Sequence, residues 1–81
     1  MTEATVQPLT ALPAGKGGTV SALDLPGDVR ARLLELGLVV GTHVEMVRFA
    51  PLGDPVEIRF RGCNLSLRRH EVDGILVETT P

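Results

Sequence analysis

At 81 residues the chain is too short to build a second independent core, so one domain is expected. Its net charge of −2 has the wrong sign for phosphate-driven binding of nucleic acid or for attraction to anionic lipid, and no stretch approaches the roughly 20 apolar residues that span a bilayer. Cys63 is the only cysteine, which excludes an internal disulfide and, with just two histidines beside it, a structural zinc site.

Hydrophobic residues make up 43% of the chain, yet Phe49 and Phe60 are its only aromatics, so the core must be built from Leu, Val, Ile and Met. Residues 1–8 are small and polar, with no charged segment leading into an apolar run; they read as a flexible tail ahead of a domain at residues 9–79. Leu12-Pro13-Ala14-Gly15 places Pro and Gly as a type I turn requires, and a strand is expected over about residues 19–23. Asp28 is a good N-cap for a short helix whose Val29, Leu33 and Leu36 share one face, with Arg30, Arg32 and Glu35 turned away. Gly37 then suits the left-handed residue that ends a helix, and Leu38 is placed to pack back on Leu33 in a Schellman turn.

After a turn at residues 39–42, a strand is expected over about residues 43–49. It leads into Ala50-Pro51-Leu52-Gly53-Asp54-Pro55, whose two prolines and glycine cannot continue a ladder and so form a hairpin loop. Val56, Ile58 and Phe60 alternate with Glu57, Arg59 and Arg61, the period-2 pattern of a half-buried strand. A turn at Gly62-Cys63-Asn64 separates this strand from one carrying Leu65 and Leu67 inward, and Ile75-Leu76-Val77 forms the last, after a polar link ending at Gly74. Five short strands and one short helix predict a mainly β fold, a small barrel closed to protect its edges.

Chemistry-bearing patterns are few. Gly15-Lys16-Gly17-Gly18-Thr19 lacks the spacing of a phosphate loop and precedes a strand, where that loop needs a helix. His43, His70 and Cys63 share no metal-ligand spacing, and His70, Glu71 and Asp73 read as a solvated link between strands. No nucleophile and base pair can be assembled, so no enzymatic activity and no cofactor are expected. Alternation puts Arg59, Arg61 and Arg68 on the outer face, either as a docking patch for an acidic partner or as an ordinary charge-paired surface with Glu57. The loop offers a second docking element: Pro51 and Pro55 restrict its backbone, and Leu52 stands between neighbours too small to cover it. The expected partner-binding set is therefore Pro51, Leu52, Gly53, Asp54, Arg59, Arg61 and Arg68.

In order, Leu12-Pro13-Ala14-Gly15, Arg32-Leu33-Leu34-Glu35-Leu36-Gly37-Leu38 with Gly41 beyond it, the proline-flanked loop at 50–55 and Leu67-Arg68-Arg69-His70-Glu71 resemble the FeoA family. The likeness runs over residues 9–77; Val40 departs from the Pro that often precedes the turn glycine, and Val72 from the usual Ala. It implies a cytoplasmic, five-stranded SH3-like barrel with one helical insertion, which modulates the ferrous-iron transporter FeoB by contact with its cytosolic part. Neither nucleic acid nor direct membrane insertion is implied, and any self-association would be weak. The alternative is a metal-sensing SH3-like domain such as closes metal-dependent repressors. With eight residues ahead of Leu9 there is no room for a winged helix, so a stand-alone accessory protein is expected.

Overall fold

A computed structural model describes residues 5–79. Strand β1 (Thr5–Pro8) leads through a 3-10 turn to β2 (Gly17–Leu23), helix α1 (Gly27–Glu35), β3 (His43–Phe49), β4 (Val56–Phe60), β5 (Cys63–Leu67), helix α2 (Arg69–Val72) and β6 (Ile75–Thr79). The strands form one antiparallel sheet in the order β1-β6-β2-β3-β4-β5. Pairing shifts between Val20 and Ala22 in β2 and between Met46 and Arg48 in β3. Such bulges bend a strand and increase its twist, which lets one sheet wrap a single core.

That core is the expected one: Leu, Val, Ile and Met with a single buried aromatic, Phe60, and fifteen buried apolar side chains in one cluster. Strand β3 has the predicted bounds, and in β4, which ends at Phe60, one residue short of the expected alternation, Val56, Ile58 and Phe60 are all buried. The end of α1 is also as read. Gly37 adopts φ +102°, its N–H donates to the Leu34 carbonyl at 3.0 Å, and the Leu38 N–H donates to the Leu33 carbonyl at 2.9 Å. These are the two bonds of a Schellman turn.

Six expectations need correction. Residues 5–8 are not tail: Thr5 lies opposite Thr79 and Pro8 opposite Leu76, because an edge strand needs backbone pairing on only one side. Residues 1–4 of the expected tail lie outside the described residues. Asp28 sits in the first turn of α1, not at its N-cap, which is Pro26; there its charge still complements the helix dipole. Leu36 is half exposed, since the Schellman turn swings the chain so that Leu38 takes the core position. The turn after β4 is Arg61-Gly62, both with positive φ, and Cys63 already belongs to β5 opposite Phe60. Finally, the link before β6 contains α2, which buries Val72 completely, and the ladder is not a closed ring but runs from one edge at β1 to another at β5.

Candidate functional site

The loop between β3 and β4 is built as a small rigid platform. The Gly53 N–H donates to the Ala50 carbonyl at 2.7 Å and the Ala50 N–H to the Pro55 carbonyl at 3.0 Å, so Pro51 and Leu52 are the central pair of a tight turn. Leu52 is 96% exposed, the most exposed large apolar side chain among the described residues. Asp54 does not face solvent alone: its Oδ1 accepts the backbone N–H of Arg69 at 3.0 Å. The Arg69 guanidinium lies 5.7 Å from the centroid of the Phe49 ring, a cation–π distance, and reaches the underside of Gly53. The first residue of α2 thus braces the loop from below.

Arg68 stands at the same end. Its N–H donates to Glu71 Oε1 at 3.0 Å, while Arg32 on α1 donates to Glu71 Oε2 at 3.3 Å, so one carboxylate ties both helices together beside the loop. Arg32, Pro55, Ser66, Leu67, Arg68 and Glu71 line a shallow cleft of about 370 Å³ there.

The three arginines expected on one face are in three places. Arg59 is on the outer face of β4, opposite Glu45 on β3 and Asn64 on β5. Its Nε donates to Asn64 Oδ1 at 2.8 Å, and Asn64 Nδ2 donates to Glu57 Oε2 at 2.8 Å. Arg48 lies opposite Glu57, so this surface is a patchwork of alternating charge. Arg61 has left the strand: alternation ends at Phe60, and the turn carries Arg61 toward Gly37. Arg68 follows β5 at the opposite end of the sheet. What the structure brings together is Pro51, Leu52, Gly53, Asp54 and Arg68, with Arg69 as the member that sequence reasoning passed over.

Among the described residues no three His, Cys, Asp or Glu side chains, His43, His70 and Cys63 included, are grouped as metal ligands. Among the same residues no helix is long and apolar enough to cross a membrane.

The FeoA domain family model matches residues 7–79. The chain belongs to the FeoA family. Among curated proteins it is 39% identical over 70 residues to the "Fe(2+) transport protein A/Fe(2+) transporter FeoB fusion protein" of Porphyromonas gingivalis, covering 86% of this chain but spanning only 8% of that longer protein. Among solved structures, the FeoA protein of Chlorobium tepidum superposes with a TM-score of 0.81 at 42% identity, over 91% of this chain and 68% of the other. The Stenotrophomonas maltophilia FeoA, solved with zinc and described as an SH3 domain protein, gives 0.75 at 31% identity over 88% of both chains. The SH3-like architecture expected from the family is therefore the one found, with six strands in place of five.

Proposed function

We propose that this FeoA-family chain is a small, non-catalytic accessory protein of the cytoplasm that binds the cytosolic part of the ferrous-iron transporter FeoB and modulates it by contact. The observation that carries this reading is the Porphyromonas gingivalis relative, in which one polypeptide joins the FeoA and FeoB names. Covalent joining raises the local concentration of two modules that must meet, which supports a protein partner over a free metal or nucleic acid.

Pro51, Leu52, Gly53, Asp54 and Arg68 form the docking tip in this reading, with Arg69 as its brace. A loop already closed by its own hydrogen bonds loses little entropy on binding. Leu52 supplies an apolar anchor, and the Arg68 charge at the loop's root suits an acidic partner surface. Arg59, engaged by Asn64, contributes to the field of the sheet face more than to direct contact.

The test is Leu52→Glu, titrated calorimetrically against the cytosolic part of FeoB. The variant should keep its stability within about 0.5 kcal/mol, as surface changes usually do, and weaken binding by more than about tenfold. Undiminished binding would remove the loop from the interface.

A further inference from the structure

The opposite end of β4 carries a second surface that the loop reading does not use. Of the six large apolar side chains exposed among the described residues, four fall within seven positions: Leu34, Leu36, Val39 and Val40, the last 64% exposed. Single exposed apolar residues need no explanation, but four so close together in the chain are enough to form an interaction surface. They ride on the Schellman turn and on the next turn, where the Thr42 N–H donates to the Val39 carbonyl at 3.0 Å. Val39, Val40, Gly41, Thr42, His43 and Arg61 line an open hollow of about 490 Å³ beside them.

Arg61 gives this ridge its chemistry. It is the single non-glycine residue with positive φ among the described residues, at 53°, in a turn position that Asn, Asp or Gly would occupy with less strain. From there its side chain crosses Gly37, where an added Cβ would come within 3.0 Å of Arg61 Cδ. Among the described residues the guanidinium has no ion pair and no side-chain hydrogen bond, unlike Arg59 and Arg32. An unpaired guanidinium at the edge of an apolar ridge is a receptor for a carboxylate, since Arg binds that group in a planar, two-pronged fit. Glu35, the last residue of α1, falls among the ridge residues in sequence but makes no ion pair with Arg61.

We infer that Leu34, Leu36, Val39, Val40 and Arg61 form a second docking surface, which takes an amphipathic segment of the partner protein whose apolar side is edged by an Asp or Glu. This rests on the accessory reading above, with the transporter's cytosolic part as the partner. The net charge of −2 disfavours an anionic bilayer, whereas the Arg61 guanidinium, unpaired among the described residues, offers a local partner for a single carboxylate on a protein segment.

The experiment is amide chemical-shift mapping of the labelled chain titrated with the cytosolic part of FeoB, repeated with Arg61→Gly and Val40→Asp. Glycine accepts the turn's positive φ, so Arg61→Gly should unfold at an unchanged or higher denaturant concentration while losing about tenfold in affinity. Shifts at residues 34–40 and 61, lost in both variants, are the expected result. Shifts confined to the 50–55 loop would overturn the second surface and leave the accessory reading standing. An absence of shifts anywhere would sink both. Shifts at the ridge that follow the chain's own concentration without partner would reassign it to self-association.

Discussion

The two ends of β4 present opposite solutions to the problem of offering apolar surface to a partner. At the loop end a single leucine is held out on a turn braced by polar contacts, from Asp54 to the Arg69 amide and from Glu71 to Arg68 and Arg32. At the turn end several apolar side chains ride on a helix terminus anchored in the core through Leu33 and Leu38. Pro55 and Arg61 lie six extended residues apart, roughly 20 Å. Polar bracing fixes a conformation at little cost to the core, whereas the ridge depends on core packing, so the two ends should respond differently to mutation.

The largest difference is expected from Leu33→Ala. Leu33 is fully buried and supplies the carbonyl of the Schellman bond, so its truncation should cost about 2–5 kcal/mol in urea unfolding. Local opening measured by hydrogen exchange should then be greater at residues 36–40 than in the 50–55 loop. Equal loss of protection at both ends would show that they are not separable.

Gly37→Ala should cost about 1–2 kcal/mol, because φ is +102° and any side chain there is strained. The added methyl also presses on Arg61 Cδ. Arg61→Ala in the same background should therefore return part of the loss and leave the dihedral part. A double-mutant cycle with no coupling would mean that Arg61 moves aside freely.

At the loop end, Glu71→Ala removes an N-terminal cap of α2 and a partly exposed ion pair, together about 1 kcal/mol. Its clearer signature should be faster exchange of the Arg68 and Arg69 amides with the ridge unaffected. Loss of protection at residues 36–40 in this variant would contradict the division.

How much of this was legible in the sequence follows from how local each signal is. Alternation at Val56, Ile58 and Phe60, the glycine after the helix and the prolines around Leu52 are encoded within a few residues, and each is found where it was expected. Strand β1 carries no such pattern, because Thr5-Val6-Gln7-Pro8 is ordered by its pairing with β6 at the other end of the chain. Helix α2 is a single turn held by Glu71 and by burial of Val72, too short to show a period. Arg61 continues the alternation of β4 in the sequence, so nothing there separates the strand from the turn that follows. Arg69 acts through its backbone amide on a residue fifteen positions away, a relation that only the folded chain reveals.

The pairing of β1 with β6 also fixes how the domain can be attached to something else. Thr5 faces Thr79, and in the next row Val6 faces Glu78, Glu78 faces Thr19 and Thr19 faces His43. Both ends of the described chain therefore lie side by side at the His43 end of β3, whereas the loop carrying Leu52 follows the Phe49 end. A tether at either end would hold the domain by the end of the sheet where His43 lies, leaving the 50–55 loop at the other end of β3 clear of it.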